Sequence, residues 1–259
     1  MKYKEYRVFN ADQNEVNQNL IADAVIKFND LEGGFGKRNF IKQITINGVE
    51  LNIKSFKVPN LINKVAYSII RKSKAERSFE YANILLNSGI NTPKPIAFFE
   101  YSNLFFLNKS FYISEQYQSD LTYRELINNH EYPDFERILR AFTRFTFSLH
   151  ENGINFLDHS PGNTLIKKNK NTGEYEFYLV DLNRMKFQTM NFEDRMKNFA
   201  KLSPKDIMLD IMCDEYAKLY SVKSKDEIIE TMYFYSKKFS TYYKKQERFK
   251  KRYYFWRKK

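Results

Sequence analysis

Residues 158–166 read DHSPGNTLI, and residues 177–183 read FYLVDLN. The first stretch places Asp158 and Asn163 five positions apart among residues that favour turns, and the second places Asp181 at the end of a short apolar run. The Asp–Asn spacing is weak by itself, because Asp, Pro, Gly and Asn also form ordinary turns. A turn-rich loop followed by a strand that ends in an aspartate is a more specific pattern than either piece alone.

Three oxygen-bearing side chains in this order suit phosphoryl transfer from ATP. That reaction needs a carboxylate to orient the attacking hydroxyl, and hard oxygen ligands to hold Mg²⁺ on the phosphates. We therefore expect Asp158 to be the catalytic aspartate, and Asn163 and Asp181 to be the metal ligands. The same order resembles the H-R-D-x-x-x-x-N and D-F-G loops of the protein-kinase-like fold.

A candidate for the cation that binds the phosphates lies upstream, in residues 49–56. This run and the run 40–46 flank Asn47-Gly48, which predicts a type I′ β-hairpin. Because side chains alternate along a strand, Lys54 lies on the face opposite the apolar side chains that pack inward. We expect Lys54 to bind the nucleotide phosphates; an exposed strand lysine is the alternative.

A glutamate on the next element is expected to pair with Lys54. Residues 71–88 have helical composition, and Gly89 ends the predicted helix. Glu80 and Glu76 lie one turn apart on the same face of this helix. We favour Glu80 as the ion-pair partner.

Two further segments are candidates for nucleotide contacts. Backbone N–H groups can close over phosphates where no side chain intervenes, so Gly33, Gly34 and Gly36 are a candidate phosphate loop, with a simple hairpin turn as the alternative. The segment SEQY that ends at Tyr117 would connect two lobes. The backbone of Glu115 and Tyr117 is expected to contact adenine there.

The remaining segments predict an α+β fold with two lobes. Residues 1–117 would form an ATP-binding lobe of antiparallel sheet with one main helix, and residues 118–243 a mostly helical catalytic lobe. Residues 244–259 form a basic, aromatic tail. The other predicted elements are strands at 24–28, 96–101 and 110–114, a helix at 135–150, and a hairpin of 165–166 and 177–180 around 171–173.

Composition excludes several classes of protein. The chain has 259 residues, a formal net charge of +12 and 17% aromatic residues. No apolar run approaches the ~18 residues that cross a bilayer, and so many aromatic residues exclude a disordered chain. Cys213 is the single cysteine, which leaves no internal disulfide, and the three histidines lack zinc-ligand spacing. No secretory signal is recognisable, so we expect a cytoplasmic protein.

The tail carries much of the positive charge. Residues 244–259 contain nine Lys or Arg and a single Glu, interleaved with Phe249, Tyr253, Tyr254, Phe255 and Trp256. This mixture suits an anionic lipid surface, nucleic acid, or a solvated helix end. Among these, an anionic membrane surface is the partner we expect, and nucleic acid is not favoured.

Several stretches along the chain together resemble one known family. They are IKSFKVPNLIN at 53–63, Ser73-Lys74-Ala75, Arg77-Ser78, GINTPKP at 89–95, DHSPGNTLI at 158–166 and VDLNRMKF at 180–187. In these stretches the chain resembles the bacterial lipopolysaccharide core kinases, the Kdo and heptose kinases of the inner core and their InaA-like relatives. The resemblance implies a kinase-like fold, ATP with Mg²⁺, and transfer of a phosphoryl group to a sugar hydroxyl of the lipid A core. It implies Asp158 as catalytic aspartate, Asn163 and Asp181 as metal ligands, and Lys54 paired with Glu80.

Several positions depart from the kinase motifs. Phe156 stands where H-R-D has histidine, Asn183 replaces the glycine of D-F-G, and Asn52 replaces a small alanine that faces adenine. Asn tolerates left-handed backbone angles, so we expect the turn after the metal-binding aspartate to persist. Ser160 stands where peptide kinases have lysine, which favours a small-molecule or sugar acceptor over a protein. His159 reads as a loop histidine rather than an acid or base.

None of these departures removes a metal ligand or the base, so an active kinase of a lipopolysaccharide inner-core sugar is the expected function. One alternative is a kinase of another small molecule, such as an aminoglycoside or amino sugar. The other is a pseudokinase or a nucleic-acid-binding module that uses the basic tail.

Overall fold

The computed structural model describes residues 4–32, 34, 39–56, 72–103 and 107–253. It divides into two compact units, of which the first comprises residues 1–118 and 180–183, and the second residues 119–179 and 184–259. The first unit is built on an antiparallel sheet and the second is mostly helical. The α+β class predicted from the sequence is confirmed.

A five-stranded antiparallel sheet is the framework of the first unit. Its strands are β1 (Lys4–Phe9), β2 (Asn39–Ile46), β3 (Val49–Phe56), β4 (Pro95–Ser102) and β5 (Leu107–Glu115), in the spatial order β1-β4-β5-β3-β2. The predicted hairpin is confirmed, because Asn47 and Gly48 have φ of 49° and 80°, the positive values that a type I′ turn requires. Strand β1 is not among the predicted strands; its charged sequence KEYRVF suits the sheet edge that it occupies.

Helix α1 (Glu15–Ile26) covers one face of this sheet, and the strand predicted at residues 24–28 is therefore wrong. Asn14 caps the helix by accepting a hydrogen bond from the backbone N–H of Asn17. The buried side of α1, which includes Val25, packs on apolar side chains of β3, β4 and β5. Burial on a helical face has outweighed the local β propensity of this run.

The helix predicted at residues 71–88 is confirmed as α2 (Lys74–Asn87), and it covers the opposite face of the sheet. The Ser73 side chain caps it, and Phe79 packs on Phe56 of β3. Phe56 and Lys54 lie two residues apart in the same strand, so they share a face. The structure confirms that Lys54 lies opposite the face that carries the main core of this unit.

Helices dominate the second unit. They are α3 (Tyr123–Asn128), α4 (Phe135–Glu151), α5 (Phe192–Ala200), α6 (Asp206–Leu219) and α7 (Lys225–Tyr253). Strands β6 (Leu121–Thr122), β8 (Thr164–Lys168) and β9 (Tyr175–Leu179) form one small sheet, and β7 (Ile154–Phe156) pairs with β10 (Met185–Phe187). The core lies among α3, α4, α6 and α7, where Phe142 and Tyr216 are fully buried. The turn-rich loop with Asp158 connects β7 to β8.

Helix α7 contains the start of the predicted tail, since it continues to residue 253. Of the helices that the structure describes, none has the length and apolar character needed to cross a membrane. Cys213 lies in the core of the second unit, where burial raises the pKa of its thiol to about 12. It is a small core side chain.

Candidate active site

Lys54 and Asp181 form an ion pair inside the first unit. The Lys54 Nζ lies 2.7 Å from the Asp181 Oδ1, although 127 positions separate the two residues in the chain. Lys54 is 16% exposed and Asp181 32% exposed in their side chains. The ammonium and the carboxylate that the sequence assigns to the nucleotide phosphates and their metal are therefore neighbours, half-buried and still accessible.

The backbone at Asp181 holds an uncommon conformation. Its φ is +60°, a left-handed value that non-glycine residues rarely adopt and that costs of order 1–2 kcal/mol. The Asn183 Nδ2 donates to the Asp181 Oδ1 at 2.7 Å, and Arg77 donates to the backbone carbonyl of Asn183 at 2.6 Å. Among the described residues of this turn the aspartate, and not Asn183, has the left-handed angle, and the Asn183 amide holds the aspartate in place.

Glu80 and Glu76 pair with Lys72 rather than with Lys54. The Lys72 ammonium contacts the Glu80 carboxylate and lies 3.7 Å from the Glu76 Oε1. Because Lys72 is one turn before Glu76 and two turns before Glu80, its side chain reaches the same helical face. Among the described residues no ion pair joins Lys54 to either glutamate, so the predicted Lys54–Glu80 pair is not formed in this structure, and Lys54 pairs with Asp181 instead.

The predicted adenine-binding segment continues β5. The N–H of Glu115 donates to the carbonyl of Lys94 at 2.9 Å, and the N–H of Gln116 donates to the carbonyl of Glu50 at 2.8 Å. Both amides are used by the sheet and have no proton left for adenine. Contacts of Glu115 and Tyr117 with adenine through their other backbone atoms stay a prediction.

Asn52 lies two residues before Lys54 and on the same face of β3. Its Nδ2 donates to the Gln116 side-chain oxygen, while its own Oδ1 is buried without a hydrogen-bond partner in the described part of the chain. The amide at this position therefore places a polar atom on the face of the sheet that carries Lys54.

Only one of the three candidate phosphate-loop glycines lies within the described residues. Gly34 has φ of +119°, a value that favours glycine, and a Cβ there would lie 3.2 Å from the Lys42 Cγ. Gly33 and Gly36 fall outside the described residues. The role of this loop over phosphates stays a prediction.

The loop that carries Asp158 is fixed by hydrogen bonds within the second unit. The Asn163 Nδ2 donates to the Asp158 carbonyl at 2.8 Å, and the Asn163 N–H donates to the Ser160 carbonyl at 2.9 Å. Since the amide nitrogen of the Asn163 side chain is used inside the loop, its oxygen is the atom left for a metal ion. The Asp158 side chain is 38% exposed, which leaves its carboxylate accessible to an acceptor.

Asn198, on α5, forms hydrogen bonds that hold the loop of Asp158 in place. No local sequence pattern marks Asn198 as part of the site. Its Nδ2 donates to the Phe156 carbonyl at 2.9 Å, and its Oδ1 lies 2.7 Å from the His159 Nδ1. His159 is fully buried, and burial lowers its pKa to about 4. The neutral ring therefore donates to Asn198, which agrees with a loop histidine and not with an acid or base.

The available oxygen ligands fit Mg²⁺ bound together with a nucleotide. No group of three or more His, Cys, Asp and Glu side chains that could hold a metal occurs in the described part of the chain. Mg²⁺ in nucleotide sites is held by one or two carboxylates, substrate phosphates and water. The Asp181 carboxylate and the Asn163 side-chain oxygen are donors of the right kind. Asp181 belongs to the first unit and Asn163 to the second, and their joint ligation stays a prediction.

Comparisons with known proteins agree on the kind of protein this is. The model of the lipopolysaccharide kinase (Kdo/WaaP) family matches residues 46–222. A solved structure described as "WaaP in complex with acyl carrier protein" superposes with a TM-score of 0.64 at 14% identity, and the match covers 91% of this chain and 98% of that one. No curated protein matches at a significant level. At 14% identity the structural likeness shows the protein-kinase-like fold, while the family match covers more than half of the chain. The chain belongs to the lipopolysaccharide kinase (Kdo/WaaP) family.

Proposed function

We propose that the protein uses ATP and Mg²⁺ to phosphorylate a sugar hydroxyl, on Kdo or heptose, of the lipopolysaccharide inner core. The observation that carries the proposal is the Lys54–Asp181 pair, at 2.7 Å, in a chain of a kinase family. The two residues are 127 positions apart in the chain and adjacent in space. A lysine can neutralise phosphate charge and an aspartate can ligate the metal ion, so the pair suits a metal-bound triphosphate. The loop in which Asn163 donates a hydrogen bond to the carbonyl of Asp158 would supply the catalytic carboxylate and the second metal ligand.

Each residue has a distinct task in this proposal. The Lys54 ammonium would neutralise phosphate charge, while Asp181 and Asn163 would hold Mg²⁺, which supplies charge neutralisation on the phosphates when bound. Asp158 would accept the proton of the sugar hydroxyl as the hydroxyl oxygen attacks the terminal phosphorus of ATP; the bond from that phosphorus to the bridging oxygen breaks, and ADP leaves. Transfer of this kind depends on positioning and electrostatics more than on covalent chemistry with the protein.

The proposed division of labour follows the domains. Residues 1–117 would bind ATP, with Gly33, Gly34, Gly36, Glu80, Glu115 and Tyr117 as further candidates for nucleotide contacts, and residues 118–243 would bind the acceptor. Asn183 and Arg77 have a supporting task, because they hold Asp181 in its left-handed conformation.

The experiment that tests the proposal is transfer of radiolabelled phosphate from ATP to purified inner-core glycolipid. We expect label in the glycolipid, dependent on Mg²⁺, and mass spectrometry of the released sugars identifies the Kdo or heptose that carries it. Label in a free aminoglycoside or amino sugar, with none in the glycolipid, would contradict the proposed acceptor. Nucleic-acid binding without any transfer would contradict the enzyme.

The second half of α7 is suited to an anionic membrane surface. Tyr242 and Phe249, which lie seven residues apart on one side of the helix, are 60% and 56% exposed. Lys237, Lys244 and Arg248 recur at intervals of seven and four on the other side. Exposed aromatics opposite basic residues are typical of a helix that lies in the headgroup region of a bilayer.

We expect the protein to float with anionic vesicles at low salt and to be released by high salt. Each basic side chain near the surface contributes about 1 kcal/mol, so replacing Lys237, Lys244 and Arg248 with Gln is expected to weaken vesicle binding by roughly 100-fold. The control replaces Lys218, Lys223 and Lys225 with Gln. These lysines form ion pairs at residues 218–225, far from the second half of α7, and their loss is expected to leave vesicle binding unchanged. Flotation that is unchanged by the first triple substitution would refute membrane binding through α7.

A further inference from the structure

Basic side chains lie at the loop that carries Asp158, within the second unit, and the roles proposed above use none of them. The Arg184 Nη1 lies 3.9 Å from the Asp158 Oδ2. The Lys201 Nζ donates at 3.1 Å to the carbonyl of Leu157, the residue directly before Asp158. Arg184 precedes β10 and Lys201 follows α5, so two separate elements bring cations to the same loop.

Lys201 is half-buried, and within the described part of the chain it forms no ion pair. Among the described residues no carboxylate lies within ion-pair distance of its ammonium, and its hydrogen bond is to a backbone carbonyl. Burial, and after it the charge of Arg184, lower the pKa of Lys201, and the charges of Asp158 and Asp194 offset part of this effect. A partly buried ammonium that no carboxylate contacts directly is costly, and an arriving anion would relieve that cost.

A third cation touches the same loop. A Cβ built on Gly162 would lie 2.9 Å from the Arg124 Nη2, so the guanidinium group packs directly on the backbone of the loop. Arg124 is exposed on its outer side. The loop of Asp158 is therefore flanked by positive charge on more than one side.

We infer that Arg184 and Lys201 form a subsite for an anionic group of the acceptor, a carboxylate or a phosphate that lies close to the hydroxyl to be phosphorylated. The inference rests on the proposed function. The Asp158 carboxylate alone would repel an anionic acceptor, and two cations beside it offset that repulsion. Lys54 and Asp181, in the first unit, are assigned to the nucleotide, which leaves these cations of the second unit for the acceptor.

The geometry favours recognition of an oxyanion over a purely structural role. A guanidinium group offers a planar pair of donors that matches a carboxylate or phosphate, and an ammonium adds a point charge. Arg184 is 58% exposed in its side chain, and its distance to Asp158 of 3.9 Å is beyond that of a hydrogen bond. Its donors are therefore not committed to the aspartate.

The test compares soluble, deacylated inner-core oligosaccharides that differ in one charge. One pair differs by reduction of a sugar carboxylate to an alcohol, and the other by removal of a phosphate. For the wild-type protein we expect loss of the recognised anion to raise the KM for the acceptor at least tenfold, with the KM for ATP unchanged. The pair that shows this effect identifies the anion as carboxylate or phosphate.

Variants then assign the effect to the two cations. Lys201→Met and Arg184→Gln are each expected to raise the KM for the anionic acceptor at least tenfold and to remove the preference over its neutral derivative. Lys201→Arg is expected to keep the preference. Lys197→Met is the matched control, because Lys197 lies in the last turn of α5, just before Lys201, and pairs with Glu193 and Asp194 at the surface.

Equal losses on charged and neutral acceptors would overturn the subsite, since they would show that Lys201 only holds the loop through Leu157. A wild-type enzyme that does not distinguish the two acceptors would overturn it as well. Calorimetric binding of the oligosaccharides without nucleotide separates this inference from the proposed function. Binding that depends on the anion and on Lys201, without any phosphoryl transfer, supports the subsite and contradicts the kinase activity; absence of both contradicts both.

Discussion

Replacing Asp158 with Asn is expected to lower the rate of phosphoryl transfer by about 10²- to 10⁴-fold, the contribution of a positioned general base. The substitution keeps the shape of the side chain and removes its ability to take the proton of the sugar hydroxyl. The backbone carbonyl of Asp158, which accepts the hydrogen bond from Asn163, is unaffected. We therefore expect the thermal stability of the protein, and its stabilisation by ATP and Mg²⁺, to remain as in the wild type.

Asp226→Asn is a suitable control for this experiment, because Asp226 is an exposed carboxylate in the first turn of α7. It should transfer phosphate at the wild-type rate. An Asp158→Asn variant that keeps more than a tenth of the wild-type activity would show that another group takes the proton.

Replacing Asp181 with Asn is expected to abolish the stabilisation of the protein by ATP and Mg²⁺. A ligand at 100 times its Kd stabilises the folded protein by about 2.7 kcal/mol, which raises the Tm by several degrees for a chain of this size. Asn tolerates the left-handed backbone found at this position, but it replaces a carboxylate ligand of the metal with a neutral amide. Transfer of phosphate should fall together with the thermal shift.

Chelation of Mg²⁺ provides the matching control. EDTA should remove most of the thermal shift that ATP causes in the wild type and change nothing in Asp181→Asn. Lys54→Met is expected to weaken ATP binding even with Mg²⁺ present, because it removes the ammonium that lies 2.7 Å from Asp181. A full Mg²⁺-dependent shift in Asp181→Asn would contradict the assignment of this residue as metal ligand.

Local periodicity was sufficient for the parts of the fold that depend on neighbouring residues. The hairpin at Asn47-Gly48 follows from turn chemistry, and the alternation along β3 places Lys54 on the correct face. The same reasoning failed at residues 24–28, because a short apolar run is compatible with a strand and with the last turn of a helix. Tertiary packing decided that α1 is a helix.

The contacts that complete the candidate site could not be predicted from spacing. Lys72 lies just before α2, close enough to form ion pairs with both glutamates of that helix. The kinase motif does not show that a second lysine competes with Lys54 for these glutamates. Asn198 and Lys201 reach the loop of Asp158 from about 40 positions further along the chain. Such contacts depend on how α5 packs, and no local pattern marks them.

The most direct test of the central claim is a crystal structure with Mg²⁺ and a non-hydrolysable ATP analogue. We predict that the metal is ligated by the Asp181 carboxylate and the Asn163 side-chain oxygen, that Lys54 contacts the phosphates, and that the Asp158 carboxylate faces the terminal phosphate. A nucleotide bound away from these four residues, or a metal without Asp181 among its ligands, would contradict the account.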